Sequence, residues 1–459
     1  MTQKNNPLTL GAEPIGTLLI RYSLPAIAAM VVFSLYNIID SIFIGHGVGP
    51  LAISGLAITF PIMNLTFAFG LLVGIGGASI SSIRLGQQDI DGATRVLGNV
   101  LLLGIINGFS FGLLTLAFLD PILVTFGASE QTLPYAREFM QIILMGLPIT
   151  YTMFGLNNVM RATGYPHKAM LSAVLTVGVN IVLAPIFIFV LHWGIRGAAI
   201  ATVLSQFSGM LWVLHHFRSE ESNIHFRPGI YKLRKAIVKS IFSIGLSPFL
   251  LNVCACLVVV LINTGLTHHG GDMAIGAFGI INRVLILFVM VVVGLTQGMQ
   301  PIVGYNYGAK QMSRVTRTLK YGMLAGALIT TVGFLISELA PGMIARMFTD
   351  DQELIDIAIH GLRICTLAFP IVGCQIVIGN FFQSIGRAKI SIFIALTRQL
   401  LFLVPCLLIL PIFWGQNGIW LSLPISDMLS FVTSGGVLIM FRRELRRMRC
   451  HENADRHSA

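Results

Sequence analysis

The sequence predicts an all-α polytopic membrane protein of twelve transmembrane helices in two pseudo-symmetric six-helix lobes. Three observations predict it: the composition, the spacing of the apolar runs and an internal repeat. Of 459 residues, 55% are hydrophobic and 11% charged, with a mean hydropathy of +0.82. That leaves too little polar surface to cover a soluble globule. Apolar segments run at 18–44, 52–81, 95–117, 133–159, 166–190 and 194–217, then at 236–264, 273–304, 318–340, 354–384, 390–413 and 418–441. Each is longer than the roughly 20 residues a helix needs to cross a bilayer.

The repeat relates the halves. AISGLAI at 52–58 aligns with AIGAFGI at 274–280, Gly86 with Gly308, Arg95 with Arg317, Asn158 with Asn380 and Gly164 with Gly386, all at an offset of 222. WGIRGAA at 193–199 meets WGQNGIW at 414–420 at an offset of 221. Six spans per repeat is an even number, so both halves enter the membrane in the same orientation, related by an axis along its normal. The expected organisation is an N-lobe at 1–217, a cytoplasmic linker at 218–235, a C-lobe at 236–441 and a basic cytoplasmic tail at 442–459.

Charge sets the orientation. The net charge of +11 would suit a nucleic-acid binder, but 24 of the 30 Lys and Arg fall in the tails and alternate loops. The positive-inside rule then places both termini in the cytoplasm. The N-terminus lacks the charged n-region, short apolar core and cleavage site of a secretory signal, and reads as a retained cytoplasmic tail. Cys254, Cys256, Cys365, Cys374 and Cys406 lie in apolar runs and Cys450 in the basic tail, so no disulfide framework or CxxC metal pattern follows.

Within the first span, PAIAAMVVFSLYNIIDSIFIG at 25–45 carries Asn37 and Asp40. An ionised group in hydrocarbon costs about 2.5 to 3.5 kcal/mol on insertion scales. Asp40 lies about 28 Å along the helix from Arg21 at 1.5 Å per residue, in the far third of the membrane. Pro25 removes a backbone donor and is expected to bend the helix near its start. A bent helix with a buried acid can sense protonation. The second half keeps Asn263 at the matching place, offset by 223, so the charge belongs to the first lobe alone.

The later spans follow the same logic. Gly74, Gly76 and Gly77 in the second span, and Gly178 and Pro185 in the fifth, allow close packing or bending. The linker SEESNIHFRPGIYKLRKAIVK at 219–239 is the one long polar stretch inside the chain and reads as a solvated loop. Two six-helix lobes facing across a central cleft make a rocking machine. Met30, Met63, Met153 and Met290 are candidates for the cleft, because flexible thioether surfaces accept many shapes. Asp427 and Arg283 both count to roughly 14 Å below the same face and are expected to form a structural ion pair. Arg398 is deeper and has no obvious partner. The adjacent His268 and His269 point apart in regular structure, and no metal site is expected.

Several residues carry a family resemblance. The run YNIIDSIFIGHGVGPLAISGLAITFP at 36–61, FQSIGRAK at 382–389 and NIVLAPIFIF at 180–189 resemble the multidrug and toxic compound extrusion (MATE) family, and within it the bacterial MepA-like branch of the DinF-like group. The resemblance covers essentially the whole chain. It implies a V-shaped pair of six-helix bundles in the bacterial inner membrane that exports organic, often cationic, compounds in exchange for protons or sodium ions. It assigns ion coupling to Asp40, helix bending to Pro25, and the surrounding polar cluster to Asn180 and Thr202. Many relatives carry a second acid four residues after that asparagine, where this chain has Ala184, so the resemblance favours H+ over Na+ as the coupling ion. Tyr36 and Asn37 join the substrate-cavity candidates. A structural alternative has Asp40 hydrogen-bonded to Asn180 or Tyr36 to fix the lobe.

The expected activity is secondary active multidrug efflux by alternating access. No further cofactor is expected, since no GxxxxGK[ST] site for ATP occurs. Expected partners are small organic molecules and membrane lipids, with no nucleic acid, and the chain is expected to act as a monomer. A flippase for a lipid-linked precursor is the alternative; its anionic cargo calls for cationic residues facing the cleft, and the first lobe's spans have none in their middle thirds. An intramembrane enzyme would need HExxH or two acids at helical spacing within its spans, and the predicted spans contain neither.

Overall fold

The computed structural model describes residues 8–219 and 222–457. A short helix α1 (Leu8–Ala12) precedes the first three spans, α2 (Ile15–Gly47), α3 (Pro50–Gly86) and α4 (Ile90–Ala117). After a connecting α5 (Leu119–Thr125), the fourth span is the pair α6 (Leu133–Met145) and α7 (Leu147–Ala162). The fifth is α8 (Pro166–Pro185) with a π-helical turn, Ile186–Val190, and the sixth is α9 (Gly194–Arg218).

The second half repeats this order. The long α10 (Lys235–Gly308) holds the seventh and eighth spans, broken at Gly271, where φ is 65° and ψ −165°. The ninth is α11 (Met312–Leu339), followed by a connecting α12 (Pro341–Arg346). The tenth is α13 (Gln352–Thr366) with α14 (Phe369–Ser384). The eleventh comprises α15 (Ala388–Leu396), a π-helical stretch Thr397–Leu403 and the start of α16 (Val404–His457). The helical run Ala388–Phe441 has 54 residues, about 81 Å of helix at 1.5 Å per residue. That is over twice the hydrocarbon thickness of roughly 30 Å. A break at Gly415, with φ 53°, divides it into the last two spans, which completes twelve.

Local chemistry explains the starts and breaks. Proline occupies the first turn of α3, α6, α7, α8, α12 and α14, where its missing N–H has no intrahelical partner to lose. Asp89 caps α4 by accepting from the Gly92 N–H at 2.7 Å, and Asp351 caps α13 through the Leu354 N–H at 3.1 Å. The fourth and tenth spans, expected at 133–159 and 354–384, bend by 54° and 52°. Pro148 and Pro370, related by the repeat offset of 222, have no N–H to bond the carbonyl four residues back, which opens the helix at the same place in both halves.

Packing divides the chain into two units. Unit 1 is Met1–Ala12 with Ala28–Phe249, and unit 2 is Glu13–Ile27 with Leu250–Ala459. Each divided helix is cut just past a proline, Pro25 or Pro248, at an offset of 223. In unit 2, Arg314 Nη2 donates to the Glu13 carbonyl at 2.6 Å and Ser23 Oγ to the Leu295 carbonyl at 3.2 Å. In unit 1, the ring of Phe249 meets Phe69 edge-on at 4.8 Å, and Gly76 lets α3 approach so closely that a Cβ there would overlap the Ile241 carbonyl. The helical backbone of α2 continues through Pro25.

The linker differs from the solvated loop expected. Ile224 and Ile230 are buried, Asn99 on α4 accepts from the Arg234 N–H at 2.9 Å, and Arg227 pairs with Asp91 at 2.5 Å. Ile224 and Ile230 find apolar cover on unit 1, which a polar composition hides. Past Phe441 the side chains, Glu444 apart, lie outside the described residues, and with them the charges of the tail.

Candidate functional site

Unit 1 gathers a polar cluster where α2, α8 and α9 meet. Tyr36 and Asp40 are four residues apart on α2 and share a face. The Thr202 hydroxyl on α9 returns its proton to the Ala198 carbonyl at 3.0 Å. A hydroxyl has one hydrogen to give, so Thr202 Oγ1 accepts from the Tyr36 hydroxyl at 3.1 Å and from Asn180 Nδ2 at 3.3 Å. Three helices are thereby tied through one oxygen.

Asp40 stands beside this knot without joining it. Its side chain is 8% exposed, and Oδ1 is buried with no hydrogen-bond partner among the described residues. Neither Asn180 nor Tyr36 is bonded to it, so the structural alternative, a carboxylate spent on holding the lobe, lacks its bonds. One turn beyond lies apolar packing: Ile44 joins a core cluster with Ala184, Ile188, Ala198 and Ala201. Ala184 is fully buried there, one helical turn past Asn180.

The four methionines are divided between the units. Met153 is buried in unit 1 and packs against Gly209, while Met63 is half-buried on the core cluster of that unit. Met30 is half-buried on α2 and Met290 half-buried on α10 in unit 2. The side chain of Asn37 lies outside the described residues.

The expected ion pair is corrected. Asp427 pairs with Arg398, whose Nε donates to Oδ1 at 2.8 Å, and Arg283 instead lies exposed over the Phe348 ring at 5.8 Å. Rise per residue measures depth along each helix but not the direction a side chain leaves it. The π-helical stretch that begins at Thr397 shifts that direction further. A second buried group also escaped sequence reasoning: Gln375 on α14 bonds Ser430 on α16 through its amide nitrogen. The signal was available in the repeat, which aligns Gln375 with Met153 and so shows a polar side chain replacing an apolar one.

The MatE family profile matches residues 25–186 and 248–408, one block in each half. The chain belongs to the MATE family. Among curated MATE relatives, the multidrug export protein MepA of Staphylococcus haemolyticus is 27% identical over 409 residues, covering 89% of this chain and 90% of that protein. MepA of Staphylococcus aureus is 25% identical over 433 residues, covering 94% and 95%. Among solved structures, the MATE multidrug transporter DinF-BH, captured in a ligand complex, is 35% identical with a TM-score of 0.86 over 94% of this chain and 96% of that one. A MATE protein in the bent conformation has a TM-score of 0.91 over 98% and 99% at 23% identity, a likeness of fold. The chain is a multi-pass membrane protein of a transporter family, and nothing in these likenesses points to an enzyme.

Proposed function

We propose that this MATE protein is a secondary active multidrug efflux antiporter of the bacterial inner membrane. It exports organic, often cationic and amphipathic compounds in exchange for protons, with Asp40 as the coupling residue. The observation that carries this reading is a buried carboxylate whose Oδ1 has no hydrogen-bond partner among the described residues, held beside a knot of hydrogen bonds that fixes its surroundings. Such a group meets its charge either with a proton or with a cationic cargo molecule. It holds one of them at a time, which is the condition for exchange. The names of the relatives, multidrug export proteins and a multidrug transporter, agree with this cargo class.

Ala184 supports protons over sodium. A hard cation wants several oxygens and compensating charge, and the turn after Asn180 offers a methyl group in an apolar cluster. A proton crossing about 150 mV delivers about 3.5 kcal/mol, enough for a gradient of a few hundred-fold in a neutral compound exchanged one for one. In this reading the protein works by alternating access as a monomer, with both termini in the cytoplasm. The test is transport by purified protein in proteoliposomes under separately imposed pH and sodium gradients. Uptake of a fluorescent cationic dye is expected with the pH gradient alone. Uptake driven only by sodium overturns the proton assignment, and uptake driven by neither overturns the antiporter.

A further inference from the structure

The fourth, fifth and sixth spans of unit 2 bring Gln375, Arg398 and Ser430 to one level. Their repeat partners in unit 1, at offsets of 222, 222 and 221, are Met153, Thr176 and Gly209. Those three meet: a Cβ on Gly209 would overlap Thr176 Oγ1 and lie 3.0 Å from Met153 Cε. Unit 1 closes this junction with a thioether, a glycine and a threonine whose hydroxyl is bonded to its own helix, at the Ser172 carbonyl, 2.9 Å away. Unit 2 fills the equivalent place with a guanidinium, a carboxamide and a hydroxyl, with Asp427 one turn before Ser430.

This polar junction is incompletely paired. Gln375 is 3% exposed; its amide nitrogen is bonded to Ser430, while its Oε1 is buried without a partner among the described residues. Gln399, beside Arg398, likewise has a buried Oε1 without one. Arg398 commits Nε to Asp427, and its two Nη groups bond no described residue, although only a quarter of the side chain is exposed. Ten residues past Ala388, it is about 15 Å along its span, too deep to reach the interface. Guanidinium presents its donors as a fork that matches a carboxylate with two parallel bonds. Charged groups at this depth in membrane spans mark functional sites.

We propose that Arg398 anchors an anion subsite in unit 2, where its free Nη edge takes the carboxylate of an amphoteric organic cargo molecule. Asp427 holds the guanidinium in place through Nε, and Gln375 Oε1 accepts a hydrogen bond from a donor on the same molecule. That the molecule is cargo rests on the transport reading above; the binding itself does not.

The test uses rhodamine 110, which has a free carboxylate, and its methyl ester rhodamine 123, bound to purified full-length protein in nanodiscs and read by fluorescence polarisation. The ratio of acid to ester affinity isolates the carboxylate. The double variant R398Q/D427N removes both charges together, so no ion is left buried alone, and the ratio is expected to fall at least about tenfold, the loss of charge-assisted hydrogen bonds. D427N alone keeps an oxygen that accepts from Nε while removing the competing charge, and is expected to raise the ratio. An unchanged ratio in the double variant, or a lower one in D427N, overturns the subsite. Nanodiscs of pure phosphatidylcholine are compared with an equal mixture containing phosphatidylglycerol. A cargo site keeps its ratio in both, whereas a fall in the mixture that the double variant does not share gives Arg398 to a lipid phosphate and overturns the cargo assignment. Failure of dye transport with binding intact would refute the antiporter and leave the subsite standing.

Discussion

Replacing Asp40 with Asn takes one ionisable oxygen out of unit 1 and keeps the shape of the side chain. Because Oδ1 has no hydrogen-bond partner among the described residues, the substitution breaks no bond seen there, and the Tyr36, Asn180 and Thr202 knot remains tied. It also removes a group whose ionised form costs about 2.5 to 3.5 kcal/mol in such surroundings, so the unfolding temperature is expected to be unchanged or higher. Transport is expected to change completely. A neutral amide cannot exchange a proton, and the ~3.5 kcal/mol that one proton delivers at about 150 mV is lost. A steady gradient of a few hundred-fold then collapses to equality. The assay is accumulation of a fluorescent cation in everted membrane vesicles, paired with a thermal-stability measurement on the same protein. Uphill accumulation at the wild-type level by stable Asp40→Asn protein would refute the coupling role, and loss of stability would show that Asp40 has a structural duty unseen in the geometry.

Three further outcomes are expected. Ala184→Asp places a second acid one turn past Asn180 and is expected to make transport respond to sodium in proteoliposomes; an unchanged ion requirement removes the missing ligand as the reason for proton use. Thr202→Val deprives the Tyr36 and Asn180 donors of their shared acceptor, for about 1 to 3 kcal/mol, whereas Tyr36→Phe removes one bond for about 0.5 to 1.5 kcal/mol. Thermal unfolding of the two variants orders them, and the reverse order refutes the assignment of Thr202 as the acceptor of both. Gly76→Val is expected to prevent folding, because its Cβ would overlap the Ile241 carbonyl, while Gly178→Ala meets nothing within 4 Å and is expected to be neutral or stabilising by up to about 1 kcal/mol. Equal yields of the two in detergent gel filtration would refute the close approach.

Spans and sites were not equally legible in the sequence. The breaks at Gly271 and Gly415 fall in the gaps between predicted spans, because apolar runs end where helices leave hydrocarbon. The bends near Gly146 and Ala368 were missed, since a bent span has the same hydropathy as a straight one; only Pro148 and Pro370 at matching places recorded them. Asp40 was legible because one charge in an apolar run is conspicuous without coordinates. Asn180 and Thr202 were reached through family resemblance alone, and their single shared oxygen is a property of three helices together. Arg398 and Asp427 were each visible, but pairing depends on azimuth, which a count of residues along separate helices leaves open. The buried isoleucines of the linker were hidden for the converse reason, that a mostly polar segment reads as solvated.

The repeat frames the two halves alike while their chemistry diverges, and the divergence assigns them different tasks. Asp40 has Asn263 as its counterpart, and the Met153, Thr176 and Gly209 junction has Gln375, Arg398 and Ser430. Unit 1 holds a carboxylate with no ion pair among the described residues beside its hydrogen-bonded knot, and on the proposed reading its charge changes whenever a proton arrives or leaves. Unit 2 holds its acid beside a guanidinium, so the pair is neutral as it stands and can receive an anion without gaining or losing a proton. If that reading holds, a proton gradient acts only on the first half. Neutralising both members of the second pair together in R398Q/D427N is accordingly expected to leave the pH dependence of cation export in place, where Asp40→Asn abolishes it. Export of rhodamine 123 across a series of imposed pH gradients measures the difference, and a flattened pH profile in the double variant would show that the coupling is shared between the halves.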